Sequence, residues 1–508
     1  MGATGLPTAT PPGESASERW LAFAAVILGT FVTVLNTSLI NVAIPKLINT
    51  FGSTTDRIQW VITGYMLASG VIIPITGFMG ERFGYKKFLI LALSVFLLGT
   101  LLSAVAWSDT SLIFARIVAG IGGGVIAPIS MALVYRLMPR EQIGTALGVW
   151  GVSVMVAPAI GPTLSGYLIE WMDWRFLFII CIPVIVLAIL MAWLLLKETE
   201  TVKGKPFDIW GFVFSATSAG TLLYALSSGQ KDGWTSFEIV SLIFISIASF
   251  ALLVWVETGK EQPLIPLGLF KNVTYTLSVV AASLVTIGLY GGVFLMPIYL
   301  QNIQGMEAID TGLLLMPASL IMALTMMIAG RLFDKFGAIP LGLAGLSLLA
   351  GGTYELHALT VDTPHKWVQA VYIIRCIGIG LCMMPLSTAG MNAIAAVDPR
   401  QVGNASALSN VIRQVASSFG IAILTMIMQD RAAMYARYIA DAVTVTSYGT
   451  NPVFRGTQGL SQLSGLIMQD ATTRGIADAF LLSSIPVFLA IPLVLFFRKP
   501  APAKAKGQ

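Results

Sequence analysis

The chain has 508 residues, 56% of them hydrophobic and only 11% charged, with a formal net charge of +5 and a mean hydropathy of +0.82. Soluble chains carry roughly 25% charged residues, so this balance excludes a string of soluble domains. The basic residues are scattered over many short loops, which points to membrane orientation and away from a nucleic-acid partner.

In chain order, residues 1–19 are rich in Pro, Gly, Ser and Thr and read as a disordered cytoplasmic tail. Apolar runs follow at about 20–48, 58–79, 87–107, 111–135, 142–169, 175–197, 208–228, 236–258, 272–301, 310–330, 337–357, 367–396, 402–429 and 474–498. Each approaches the roughly 20 residues that a helix needs to cross the hydrocarbon core. Lipid offers no partner for a bare peptide group, so the runs must be helices. The expectation is an all-α membrane protein with about 14 transmembrane helices.

An even number of spans puts both termini on one side. With that side cytoplasmic, its loops and tails hold 18 of the 30 Lys and Arg and the opposite side nine, in the sense of the positive-inside bias. Cys181, Cys376 and Cys382 all lie in apolar runs, as buried thiols rather than a disulfide framework. No GxxxxGK[ST] loop is present, no spacing suggests catalysis, and no cofactor is expected. His357 and His365, near Glu355 and Asp362, read as exposed loop residues rather than a metal site.

The chain repeats itself. Gly77-Phe-Met-Gly-Glu-Arg-Phe-Gly84 returns as Gly330-Arg-Leu-Phe-Asp-Lys-Phe-Gly337, each closing a loop after an even-numbered run. A looser echo relates Arg116, Gly120, Pro128 and Ser130 to Arg375, Gly378, Pro385 and Ser387. The architecture expected is two related halves that rock about a central site.

These stretches, with Leu35–Pro45, Gly151–Gly166 and Ala405–Gln414, resemble the signatures of the major facilitator superfamily, and within it the fourteen-span drug:proton antiporters of the EmrB/QacA type. The resemblance covers nearly the whole chain from Phe31 to Arg498. It implies a major facilitator fold of two pseudo-symmetric six-helix halves plus two inserted helices. The expected divisions are 20–200 for the N-terminal half, 201–262 for the inserted pair, 263–498 for the C-terminal half with a long extracytoplasmic loop at 430–473, and a basic cytoplasmic tail at 499–508. It further implies a cell (plasma or inner) membrane protein that exports amphipathic small molecules, such as drugs, by proton antiport with alternating access. The alternatives are an exporter of neutral or anionic metabolites with different coupling, and a non-transporting sensor. An accessory partner protein is also conceivable.

Candidate site residues fall into four groups. Gly77, Glu81, Arg82, Gly84 and Lys86, with Asp334 and Lys335 in the second copy, form either an electrostatic latch between the halves or a solvated loop that only sets orientation. Gly151, Pro158, Gly161, Pro162 and Gly166 lie on one span, where proline removes a helix bond and glycine admits a close neighbour. By the resemblance this is the exporter helix and its hinge; ordinary small-residue packing is the alternative.

Polar and amphipathic residues within core spans, Asn36, Asn41, Gln59, Tyr65, Trp150, Tyr290, Tyr299, Gln301, Asn392, Asn410 and Arg413, are candidates for a substrate cavity, half of them for bridging helices only. Met322–Met327 and Met383–Met384 would give adaptable walls.

Charges inside spans are costly and mark function by default. Arg116 either acts in coupling or snorkels outward, Arg375 is its structural counterpart, and Arg413 either anchors its helix or faces a cavity. The resembled family commonly has Asp where this chain has Asn36, which cannot titrate. Asp310, Glu355 and Asp478 are the remaining acids considered for coupling, Asp478 foremost, because an apolar setting would raise its pKa. Its alternative role is a helix N-terminal acid favoured by the dipole.

Overall fold

A computed structural model describes residues 16–139, 142–198, 201, 207–260, 263, 265–398, 401–442 and 456–497. Most of the expected tails at 1–19 and 499–508 lies outside the described residues. Among the described residues, fourteen long helices carry the chain: α1 (Ala16–Phe51), α2 (Arg57–Phe83), α3 (Tyr85–Ala104), α4 (Asp109–Leu137), α5 (Ile143–Trp171), α6 (Phe176–Leu195), α7 (Ile209–Asp232), α8 (Phe237–Thr258), α9 (Val273–Ile303), α10 (Ala308–Phe336), α11 (Ala338–Glu355), α12 (His365–Ala395), α13 (Val402–Ala442) and α14 (Gly456–Leu495). Among the described residues there is no strand.

Thirteen of the fourteen are long and apolar enough to cross a bilayer. The exception is α11, whose 18 residues include Gly342, Gly345, Gly351 and Gly352. These glycines dilute its hydropathy and also let it approach α12 closely: a Cβ on Gly345 would stand 2.8 Å from the Gly378 carbonyl oxygen. The helix exists because its neighbours bury it, which propensity alone would not predict.

The two halves repeat one packing scheme. In the first, α1 packs against α4, α5 and α6, α4 against α2 and α3, and α3 against α6. In the second, α9 packs against α12, α13 and α14, α12 against α10 and α11, and α11 against α14. Each of these contacts in the first half has its counterpart eight helices later. The repeated glycines that close the α2 and α10 turns share a backbone state as well: Gly84 has φ 86° and Gly337 φ 78°, a region costly for any residue with a Cβ. α7 and α8 pair with each other, and α7 lies against both α2 and α13.

Each half has its own apolar core. A third cluster draws from both and includes Phe23, Phe78, Val134, Met138, Ile143, Met326, Met391, Ile394, Val402 and Ala405. Because successive helices alternate in direction, most of these residues lie toward the end of the bundle where α1 starts and α14 finishes. The halves are therefore joined and sealed at the termini end.

At the opposite end, the expected long loop at 430–473 is mostly helical. α13 runs on to Ala442 and α14 begins at Gly456, and the two helices pack together. Arg431–Asp441, expected in that loop, instead continue the thirteenth span as helix. Residues 443–455 of the expected loop lie outside the described residues.

Candidate functional site

The seam between the halves is built around α5. Gly148 faces the Met326 carbonyl of α10, where a Cβ would come within 3.1 Å, and Gly151 faces the Met326 side chain. Gly166 faces Ile309 at the far end of α10. Gly161 looks the other way, onto Ser38 of α1, and Ser165 donates to the Leu39 carbonyl at 2.7 Å. From the α10 side, a Cβ on Gly330 would stand 2.5 Å from the Gly144 carbonyl oxygen. Small residues thus let α5 lie close against its own half and the opposite one at once. α5 is helical throughout, so Pro158 and Pro162 do not break it in this conformation; the side chain of Pro162 lies outside the described residues.

At the termini end the halves meet through named side chains. Asn404 of α13 donates through Nδ2 to Glu81 Oε1 of α2 at 2.9 Å. Gly77, one turn back, is pressed against Asn404 so closely that a Cβ would collide with its side-chain oxygen and lie 3.1 Å from its Cα. Tyr85, fully buried, puts its hydroxyl against Gly403, and the Arg136 guanidinium stacks 4.5 Å over the Tyr85 ring. Arg82 lies 5.6 Å over the Phe78 ring. Lys86 is half-buried and Lys335 exposed, while the Asp334 side chain is outside the described residues. Glu81 and Arg82, expected in a loop, form the last turn of α2, and sequence reading missed Asn404, the residue Glu81 meets, because an asparagine two positions into a helix carries no distinctive signal.

The three intramembrane arginines sort into two kinds. Arg116 is 0% exposed, so it does not snorkel outward. It donates from Nη1 to Asn36 Oδ1 at 2.5 Å and from Nε to the Val61 carbonyl at 3.3 Å, beneath the Tyr65 ring at 4.5 Å. Arg375, its counterpart on α12, is 1% exposed and ties α9 and α11: Nη2 donates to the Gly288 and Leu289 carbonyls, and Nε donates to Thr353 Oγ1 at 3.2 Å. Gly292 lacks the Cβ that would occupy the space of that guanidinium. Each of these arginines fastens the fourth helix of its half to the first.

Arg413 of α13 is different. It is only half-buried, and it donates to Ser387 Oγ of α12 at 3.2 Å and to Asn410 Oδ1 at 2.7 Å, with Tyr275 and Tyr290 near enough to feel its charge. The equivalent position in the first half holds another polar chain, in which Trp150 Nε1 donates to Thr30 Oγ1 at 3.3 Å and Thr30 donates to Ser130 Oγ at 2.9 Å. Ser130 and Ser387 are the repeated serines of the sequence echo. Trp150, Tyr290, Asn410 and Arg413 are half-buried members of the expected cavity set, and Trp150 joins Met326, Met383 and Met384 in the seam cluster.

Other expected residues lie elsewhere. Asn36 is 1% exposed and belongs to the Arg116 lock rather than to an open cavity, and Tyr65 is buried with it. Tyr299 is fully buried at the opposite end, donating to the Thr360 carbonyl at 2.7 Å, and Gln301 and Gln59 are exposed. Asn392 is half-buried near the end of α12. The side chain of Asn41 is outside the described residues.

Asp310 and Glu355 are exposed. Asp478 is not surrounded by the apolar run that flanks it in sequence. It accepts from the Tyr435 hydroxyl at 3.1 Å and pairs with Arg431 at 3.7 Å, on the wall of a cavity of about 320 Å³ that includes His357, Asp470 and Arg474. His365 is exposed, and no group of three or more His, Cys, Asp or Glu that could hold a metal occurs among the described residues.

Two acids that sequence reading passed over are buried at the termini end of the inserted pair. Asp208 caps α7 by accepting from the Gly211 amide at 2.8 Å and is paired with Lys260. Glu257, 3% exposed in the last turn of α8, accepts from the Ile265 amide at 3.3 Å. Burial pushes the Asp208 carboxyl up, but hydrogen bonds from Lys260 and the Gly211 amide outweigh it and hold it below its ordinary value.

A bundle of two equivalent helical halves, sealed at one end and seamed by glycine-lined helices, defines a polytopic membrane transporter. The family model described as Major Facilitator Superfamily matches residues 26–421, and the chain belongs to that family. It is 33% identical to the uncharacterized MFS-type transporter YhcA of Bacillus subtilis (strain 168), covering 96% of this chain and 95% of that protein. It is 27% identical to the lincomycin resistance protein LmrB of Listeria monocytogenes serovar 1/2a, over 94% of this chain and 96% of that one. The solved proton:xylose symporter XylE shares its fold with a TM-score of 0.61 at 14% identity, covering 96% of this chain and 100% of that one.

Proposed function

We propose that this transporter is a fourteen-span exporter of the EmrB/QacA type, which expels amphipathic small molecules in exchange for protons by alternating access. The sealed termini end faces the cytoplasm in this reading, as the excess of Lys and Arg there suggests, and the protein sits in the cell membrane. The observation that carries the proposal is the cross-half contact of Glu81 and Gly77 with Asn404. It is a localised, breakable closure at one end of two repeated bundles, which is what alternating access requires. Export of a drug-like compound also accords with the resistance named for LmrB.

A second reading of the cargo rests on Arg413. A half-buried cation beside Ser387, Asn410, Tyr275 and Tyr290, with no acid in the middle of any span, favours neutral or anionic compounds over cations. Everted vesicles test both. After a pH gradient is imposed, a pH-sensitive dye should dequench on addition of an exported compound, and the charge class that dequenches identifies the cargo. Exclusion of a compound by cells without any proton movement would overturn antiport.

A further inference from the structure

The inserted pair α7–α8 carries a cluster that the export reading does not use. Asp208 is 9% and Glu257 3% exposed, and each carboxyl lies near enough to feel the other's charge. Their other contacts are accounted for: Asp208 Oδ1 takes Lys260 and the Gly211 amide, and Glu257 Oε2 takes the Ile265 amide. That leaves Asp208 Oδ2 and Glu257 Oε1, two buried oxygens with no donor among the described residues, turned toward the same side of Gly211. A Cβ there would lie 2.7 Å from Asp208 Oδ2 and against Glu257 Oε1.

Two carboxylate oxygens cannot hydrogen-bond to each other unless one carries a proton. With both ionised, the site would hold two buried negative charges against the single positive charge of Lys260. One shared proton neutralises the cluster and supplies the missing donor. The charged and titratable groups that face Glu257 from its packed neighbours, among the described residues, are Asp208 and Lys260.

The cluster is wired to the seam. Glu257 holds the Ile265 amide, and Ile265 and Pro266 border a small cavity with Pro74 of α2 and Asn404, Leu408 and Val411 of α13. Phe207, next to Asp208, meets Phe78 with ring centroids 5.2 Å apart. We propose that Asp208, Glu257 and Lys260 form a proton-binding site in which one proton shared between the carboxyls seats the 265–272 segment across the sealed end of the two halves. Losing the proton leaves an uncompensated buried charge, which is relieved when the segment lifts and water reaches the carboxyls. Acid therefore favours the seated segment and alkali frees it. Because this site contacts the closure and not the Arg413 region, it governs opening whichever compound is carried.

The test uses the full chain in lipid nanodiscs, with the three native cysteines replaced by Ala and one cysteine introduced as Leu267→Cys. Its maleimide labelling is measured relative to that of a Val397→Cys control, which removes the intrinsic pH dependence of thiols. From acid to alkaline pH the relative rate should rise by about ten-fold or more, the change that goes with one pKa unit of coupling. Glu257→Gln, which always offers a donor to Asp208, should label slowly at every pH, and Glu257→Ala should label fast at every pH. Infrared difference spectra of the protein without the introduced cysteine should contain a protonated-carboxyl band that alkali removes and Glu257→Gln abolishes. Absence of that band, wild-type pH dependence in Glu257→Gln, or protection by sodium at fixed pH would each overturn the proposal. No transported compound enters the measurement, so failure here is distinct from failure of the export reading.

Discussion

Gly77→Ala is the sharpest perturbation of the closure. The added Cβ would collide with the Asn404 side-chain oxygen and lie 3.1 Å from the Asn404 Cα, so rotating the asparagine away cannot by itself make room. Displacing Asn404 also breaks its hydrogen bond to Glu81. Overpacking costs about 1–3 kcal/mol and the hydrogen bond to a charged acceptor contributes roughly 1.5–3 kcal/mol. The two overlap, and a combined penalty of about 2–4 kcal/mol on the closed state corresponds to a roughly 30- to 900-fold shift toward opening at this end. Spin labels at Phe83 and Val397, both exposed and placed on opposite halves, read the separation directly by pulsed dipolar spectroscopy. The long-distance population should grow strongly in Gly77→Ala. Gly351→Ala, where a Cβ meets nothing within 4 Å, should not change it. Gly77→Ala with Asn404→Ala should relieve the collision with the side-chain oxygen but neither the 3.1 Å approach to the Cα nor the loss of the hydrogen bond. An unchanged distance distribution in Gly77→Ala would refute the idea that this contact holds the halves together.

Three further outcomes are expected. Arg116→Met leaves the Asn36 and Val61 oxygens buried without their donor and should cost about 2–4 kcal/mol of stability, read as a lower thermal unfolding temperature in detergent; a variant that melts like wild type yet fails to transport would make the arginine's role chemical rather than a scaffold. Asn36→Asp in the otherwise native chain should raise the melting point, because it converts a neutral acceptor into a charged one. For Asp208 the folded pKa lies below its ordinary 3.8, so its contribution is fully present above that value and is lost as pH falls through the lower folded value. In a Glu257→Gln background, where only one of the two acids titrates, adding Asp208→Asn should therefore lower the melting point by a constant amount from neutral pH to near 4, and by less below it. A difference that begins to shrink well above 4 would contradict the depressed pKa.

Apolar run length placed most helix ends within a few residues, because the bilayer sets a common minimum length; the exceptions are the end of α13 at Ala442 and the start of α14 at Gly456, which run well past their apolar runs. The repeats located the turns for the same kind of reason: Gly84 and Gly337 adopt a backbone state that glycine enters most easily. Depth counting failed for side-chain environment. Asn36 and Trp150 are both polar residues in apolar runs, yet one is sealed against Arg116 and the other faces the seam. Which face of a helix meets its neighbour is decided by packing between helices distant in sequence, and a uniformly apolar helix carries little amphipathic signal to reveal it. Asp478 misled in the same way, since its flanking residues are apolar while its partners, Tyr435 and Arg431, come from another helix. Asp208 and Glu257 were missed because each sits at a span end, where an acid normally faces water.

Under the proposed proton antiport, the distribution of charge puts the action of protons at the closure rather than in the middle of the bundle. Among the described residues, Arg116 and Arg375 donate to neutral oxygens, from Asn36, Thr353 and backbone carbonyls. They can hold helices together, but they have no acid among those partners to exchange a proton with. The acids with buried or paired carboxyls gather at the two ends of the bundle instead, Asp470 and Asp478 at one and Asp208 and Glu257 at the other. At Asp478, and at the Asp208–Glu257 pair, a proton meets a carboxyl whose partners lie on another helix, so protonation there changes how helices are held to one another. The inserted pair gives the termini end that property, since α7 touches both α2 and α13, one helix from each half. In a twelve-helix bundle without α7 and α8, the cluster built from Asp208, Glu257 and Lys260 would have no place to form.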